Sequence, residues 1–173
     1  MIKVLVNGAL GRMGSEVVKK VTAENDLTIA AVVDIKPGTI TVDENVYQVT
    51  TDLVAAIKET QPDVVVDFTR PDVVMDNLRK VLALGVRAVV GTTGFSDADL
   101  QEVDSLAKAN NTALLIAPNF ALGAVVMMKL ACEAAKYFPH VEIIEKHHDK
   151  KLDAPSGTAI ITAQKISEVR AAM

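Results

Sequence analysis

Three features of the sequence predict an α/β fold built on a doubly wound parallel sheet. Short runs rich in Val and Ile alternate with longer segments of helical period. The first, third and fifth runs are almost continuously apolar, the pattern of strands covered on both faces. Three glycines, Gly8, Gly11 and Gly14, stand where the first run gives way to the first helix. Repeated strand–helix–strand units of this kind make a parallel sheet with right-handed crossovers. The chain has 173 residues, 50% of hydrophobic types and 23% charged, enough to bury a core.

The predicted strands occupy residues 2–6, 27–34, 64–68, 88–90 and 113–116, with a short extra strand at 46–49. Helices at 12–22, 52–60, 71–84 and 97–110 lie between them. Thr51 and Asp52 precede the second helix. Pro71 stands in the first turn of the third, where its missing N–H costs nothing, and Gly85 ends it. Ser96 and Asp97 open the fourth, and Asp99 adds negative charge to its first turn. Residues 1–120 read as one domain. The pattern then changes to an apolar helix at 123–137, a strand at 141–145, a polar loop at 147–155 and a helix from about Ser156. Residues 121–173 therefore read as the beginning of a smaller mixed α/β domain. A lone strand makes no sheet, so the chain reads as an incomplete protein or as one that completes its sheet through another chain.

Composition narrows the functional classes. The net charge is −4, aromatic residues make up 3%, and Trp is absent. No basic stripe exists for nucleic acid or an anionic membrane, and there is little for bases to stack on. Cys132 is the single cysteine, so no internal disulfide forms. It lies in the apolar run 124–135, is expected to be a buried small hydrophobe, and fits a reducing compartment. Met1-Ile2-Lys3-Val4 has no signal-peptide layout, and no apolar stretch approaches the ~20 residues of a membrane helix. A soluble, cytoplasmic protein is expected.

The turn Gly8-Ala9-Leu10-Gly11-Arg12-Met13-Gly14 is a G-x-x-G-x-x-G variant of the dinucleotide-binding pattern. Its glycines permit a tight turn and close approach of backbone to a pyrophosphate, which would sit on the free N–H groups of the helix opening near Arg12. A glycine triplet alone also suits a ligand-free strand-to-helix turn. Asp34 strengthens the dinucleotide reading. It ends the second strand about 20 residues after the last glycine, the offset of a ribose-binding carboxylate. Asp34 accepts from a 2′-OH and repels a 2′-phosphate. Arg12 and Lys36 could offset that repulsion, so NADH and NADPH both remain open. Three later strand ends bear small or polar residues: Asp67-Phe68-Thr69, Gly91-Thr92-Thr93-Gly94 and Ala117-Pro118-Asn119-Phe120. Ligands bind at such carboxyl ends of parallel strands, and these loops would receive the nicotinamide end.

The densest polar cluster runs from Glu145 to Ala159. Adjacent His147 and His148 on a strand point to opposite faces, and with one distant Cys no metal site is expected. An anion-binding catalytic loop fits better. Ser156 is a good N-cap, so Gly157 and Thr158 would offer N–H groups to a carboxylate. Lys151 adds positive charge, and a histidine can give a proton near neutral pH.

On these segments the chain resembles the dihydrodipicolinate reductase family. The resemblance rests on Gly8-x-x-Gly11-Arg12-Met13-Gly14, Asp67-Phe68-Thr69, Gly91-Thr92-Thr93-Gly94, Asn119-Phe120 and above all His147-His148-x-x-Lys151-x-Asp153-Ala154-Pro155-Ser156-Gly157-Thr158-Ala159. It implies a Rossmann-type cofactor domain and a smaller substrate and oligomerisation domain. It also implies hydride transfer from NAD(P)H to a cyclic dicarboxylate in lysine and diaminopimelate biosynthesis, by a homo-tetramer. By position, His147 is the implied proton donor and acceptor and Lys151 the general acid. His148, Lys151, Gly157 and Thr158 are the implied substrate ligands. The implied nucleotide ligands are residues 8–14, Asp34, Lys36, Phe68, Gly91, Thr92, Thr93, Ala117, Pro118, Asn119 and Phe120. Family members using NADP often carry Arg after the strand-end acid, where this chain has Ile35. They also continue beyond this endpoint, with a part that completes the second sheet. The competing readings are a non-catalytic dinucleotide-binding or redox-sensing module, and an inactive fragment that keeps only nucleotide affinity. The loop from His147 to Thr158 separates the enzyme from the sensor, which needs no proton donor beside a carboxylate cradle.

Overall fold

Residues 1–117, 119–147 and 154–172 are described in the computed structural model. The chain divides into two compact units, Met1–Ala117 and Pro118–Met173. In the first, β1 (Ile2–Asn7), β2 (Leu27–Val33), β3 (Gly38–Val42), β4 (Asn45–Thr50), β5 (Val64–Asp67), β6 (Arg87–Val90) and β7 (Leu114–Ile116) form one sheet. The order is β3-β4-β2-β1-β5-β6-β7. Every neighbouring pair is parallel except β3–β4. The chain winds outward from β1 to β2 on one side and restarts at β5 on the other. The carboxyl end of β1 is therefore the topological switch point, where ligands bind in such sheets.

Four helices, α1 (Arg12–Ala23), α2 (Leu53–Thr60), α3 (Pro71–Ala83) and α4 (Asp97–Ala109), cover the sheet. Successive residues of β1 feed opposite faces, as the two-residue period of a strand requires. Leu5 packs with Ile57, Leu78, Leu82 and Val103 from α2, α3 and α4. Val4 and Val6 pack with Val18 and Val21 from α1. Each fully buried side chain of this size contributes about 1.5–3 kcal/mol. The helix starts follow the sequence signals. Asp52 accepts from Ala55 N–H at 2.9 Å, Pro71 opens α3, and Ser96 and Asp99 form a reciprocal capping box.

The structure corrects several sequence expectations. The short strand expected at 46–49 is β4, and it has an antiparallel partner, β3, that the reading missed. Asp43, in the turn between them, has φ 52°. In β3, Ile40 and Val42 are half-buried while Thr39 and Thr41 are exposed, a period-two signal too short to stand out. The fifth predicted strand, β7, is not covered on both faces. It is the sheet edge, and Leu115 is 58% exposed.

The second unit contains α5 (Leu122–Ala134) and α6 (Gly157–Ala171). They pack through Met128, Ala135 and Ile166, all buried. The Arg170 guanidinium donates to the carbonyls of Ala135, at 3.4 Å, and Phe138, at 2.6 Å, and so satisfies groups left open after α5. The strand expected at 141–145 does not form. Those residues have no regular structure and no partner strand among the described residues, and Val141, Ile143 and Ile144 are exposed. Their strand-like composition has no ladder to join. Cys132 is half-buried and free rather than fully buried. Among the described residues no helix is long and apolar enough to cross a membrane.

Candidate active site

The turn after β1 is set by backbone packing. The Val33 carbonyl accepts from the N–H groups of Gly8 and Ala9, at 2.9 and 3.0 Å, tying the turn to the end of β2. Gly8 has φ 81°, and a Cβ there would lie 2.6 Å from the Phe68 carbonyl oxygen. A Cβ on Gly14 would lie 2.0 Å from the Gly8 carbonyl oxygen. These two glycines let strand and helix meet. Gly11 is different: it is exposed, and a Cβ would meet only the Gly8 carbonyl oxygen, at 3.1 Å. It is the N-cap of α1 and provides no side-chain cap. The first N–H groups of α1 therefore have no intrahelical acceptor and favour an anion. A cleft of about 310 Å³ opens there, lined by Gly11, Arg12, Met13, Phe68, Thr69, Gly91, Thr92 and Thr93. Ala9 is buried beneath the turn and Leu10 is exposed.

Asp34 is half-buried at the end of β2. Its Oδ2 accepts from Leu10 N–H and its Oδ1 from Ile35 N–H, both at 2.8 Å. It thus braces the glycine turn, and each oxygen keeps a lone pair for a further donor. Lys36 and Arg12 are exposed and have no ion pair among the described residues. A Cβ on Gly91 would fall 2.0 Å from the Phe68 ring. Glycine there lets the ring lie across the end of β6.

Behind this wall lies Asp67, which the sequence marked only as part of a polar strand end. Asp67 is 1% exposed. Its Oδ2 accepts from Asn7 Nδ2 at 2.8 Å and Asn77 Nδ2 at 3.2 Å. Its Oδ1 accepts from Thr69 N–H at 2.9 Å, Thr69 Oγ1 at 2.6 Å and Thr92 Oγ1 at 3.4 Å. The one available signal was an acid ending an apolar parallel strand, in register with Asn7 at the end of β1.

In the second unit a cleft of about 460 Å³ is lined by Asn119, Glu145, His147, Ser156 and Thr158, with Met127 and Ile166 among its apolar residues. Ser156 is the N-cap of α6, its Oγ accepting from Ala159 N–H at 3.2 Å. Glu145 accepts from Ser156 N–H, at 2.9 and 3.1 Å to its two oxygens, and from Ser156 Oγ. One carboxylate thus holds the cap residue in place. The N–H groups of Gly157 and Thr158, in the first turn of α6, lack intrahelical acceptors. The space beside Gly157 is open. Asn119 donates from Nδ2 to Thr158 Oγ1 at 3.1 Å, while its Oδ1 accepts from Ala121 N–H at 2.8 Å. His147 is exposed at the mouth of this cleft, and Phe120 is 48% exposed. Ala117 N–H donates to the Val90 carbonyl at 2.9 Å. Pro118, expected to hold the cofactor, and His148 and Lys151, expected to hold substrate, lie outside the described residues. No group of three His, Cys, Asp or Glu side chains suited to a metal occurs among the described residues.

Two family descriptions match the chain: dihydrodipicolinate reductase, N-terminus, over residues 2–120, and dihydrodipicolinate reductase, C-terminus, over residues 123–172. A 4-hydroxy-tetrahydrodipicolinate reductase of Listeria innocua is 51% identical, over 98% of this chain and 66% of the relative. One from Syntrophomonas wolfei is 47% identical, over 97% and 65%. A dipicolinate-bound dihydrodipicolinate reductase from Paenisporosarcina sp. TG-14 is similar in structure, with a TM-score of 0.82 and 45% identity, covering 98% of this chain and 67% of that one. The chain spans 66% of the length of the Listeria relative.

Proposed function

This chain belongs to the dihydrodipicolinate reductase family, and on that premise we propose that it carries the cofactor and substrate sites for NAD(P)H-dependent reduction of 4-hydroxy-tetrahydrodipicolinate to tetrahydrodipicolinate, in lysine and diaminopimelate biosynthesis. The observation that carries this reading is the presence, in one chain, of two helix N-termini with free N–H groups, each in a cleft. One is the uncapped N-terminus of α1 beside Asp34. The other is the open N-terminus of α6 in a cleft that His147 lines. A dinucleotide needs the first and a dicarboxylate the second.

The residues of the first unit fit a nicotinamide dinucleotide, because Gly11 leaves the α1 N-terminus clear where a side chain would intrude. When bound, the cofactor supplies a hydride. The N–H groups of Arg12 and Met13 hold the pyrophosphate. Asp34 accepts from a ribose hydroxyl, and Phe68, Gly91, Thr92 and Thr93 receive the nicotinamide end, with residues 117–120 contributing. In the second unit, Gly157, Thr158 and His148 hold the substrate carboxylates. Lys151 attracts the substrate carboxylates and acts as the general acid that delivers a proton to the reduced ring. His147 is the neighbouring proton donor and acceptor. Residues 1–120 are read as the cofactor domain, and 121–173 as the start of the substrate and oligomerisation domain of a cytoplasmic homo-tetramer. Asp34 and Ile35 favour NADH, and Arg12 and Lys36 permit NADPH. Use of both with a lean to NADH is the expectation.

Turnover by a Lys151→Ala variant tests the proposal. NADH oxidation with the dicarboxylate should fall about 100-fold or more, with NADH affinity unchanged by calorimetry. His147→Gln should lower turnover more than substrate affinity. Wild-type turnover in Lys151→Ala would overturn the assignment.

A further inference from the structure

Asp67 is a buried titratable group that the reaction described above does not use. Among the described residues every donor it meets is neutral: two Asn amides, one backbone N–H and two Thr hydroxyls. It forms no salt bridge among the described residues. A carboxylate taken out of water without a cation is costly to keep, and a neutral side chain could tie the same strands together without that cost. Its position suggests what the charge is for. Thr69 and Thr92, which donate to it, line the cleft of the first unit. The Thr92 hydroxyl is turned inward, shared between Asp67 Oδ1 and the Thr69 carbonyl oxygen at 3.2 Å. The negative charge therefore stands one side chain behind the cleft wall.

We propose that Asp67 is a positioning residue that also sets the redox bias of the cofactor cleft, its charge favouring the oxidised, cationic nicotinamide over the neutral reduced one. The inference rests on the dinucleotide reading above. The carboxylate fixes Thr69 and Thr92, which affects both cofactor forms alike. Its charge acts on only one of them. A unit charge one side chain behind the wall of a partly screened site changes affinity about tenfold. Stabilising the oxidised form makes the bound cofactor a stronger hydride donor.

The test is calorimetric titration of the protein with NAD+ and with NADH, with thermal melting as the control for folding. Asp67→Asn should raise the ratio of the NAD+ to the NADH dissociation constant about tenfold. Asn77→Lys leaves Asp67 in place and sets a cation beside it, so the ratio should shift in the same direction, which decides the matter if Asp67→Asn does not fold. Thr92→Val removes a positioning contact but no charge, and should weaken both forms with the ratio unchanged. An unchanged ratio in folded Asp67→Asn or in Asn77→Lys overturns the inference, as does a Thr92→Val ratio that moves like that of Asp67→Asn. If the wild-type chain binds neither form, the dinucleotide reading itself fails.

Discussion

At the start of α1 the N-cap is Gly11, so no side chain caps the helix, and the backbones of Gly8 and Gly14 are packed tightly beside it. At the start of α6 a serine caps the helix and is itself held by Glu145, eleven residues earlier. The first terminus is carried by a seven-stranded sheet with two covered faces. The second follows residues 141–147, which have no regular structure. Both present free N–H groups, but one is shaped by a core and the other by a single carboxylate. Changes at the first should therefore cost global stability, and changes at the second should cost local order.

Gly14→Val should have the largest effect. Its Cβ would sit 2.0 Å from a backbone oxygen, so strand or helix must move. A loss of about 3 kcal/mol in urea unfolding is expected, and wild-type stability would break the claim that packing dictates this turn. Ser156→Ala comes next. Loss of the cap should cost about 1–2 kcal/mol. It should raise amide hydrogen exchange along α6 while NADH affinity holds, and exchange that rises equally in α1 would show the two termini to be coupled.

The smallest expected effect lies on the surface of the first unit. Ser96 N–H and Oγ both donate to Asp99, holding its carboxyl below the ordinary value of 3.8. A carboxylate whose folded pKa is lowered stabilises the fold fully above its unfolded value, and that contribution is lost as pH falls through the folded one. Thermal melts of the wild type and Ser96→Ala should therefore differ at neutral pH and converge as acid is added below about pH 4. A gap that widens in acid would contradict the capping box.

The glycine turn and the helix caps were legible because each is written within a few residues of the feature it makes. Gly8, Gly11 and Gly14 span one turn, and Ser96 and Asp99 are three residues apart. The structure's departures from expectation depend on distant partners. Residues 141–145 have the composition of a strand, but a strand exists only where another pairs with it. Asp67 looked like the end of β5. Its partner Thr69 is two residues on, but its other partners Asn7, Asn77 and Thr92 stand 60, 10 and 25 residues away, so the strand end was legible and its buried network was not.

The central claim is that the α1 N-terminus holds a dinucleotide and the loop before α6 holds a dicarboxylate. Gly11→Val tests it most directly, because Gly11 has φ −70°, open to any residue, and faces the cleft rather than the core. Calorimetric titration should show NADH affinity falling about 100-fold, while dipicolinate affinity stays at its wild-type value and the protein still melts cooperatively; a side chain there blocks close approach of the pyrophosphate to the backbone. Wild-type NADH affinity in folded Gly11→Val would contradict the claim.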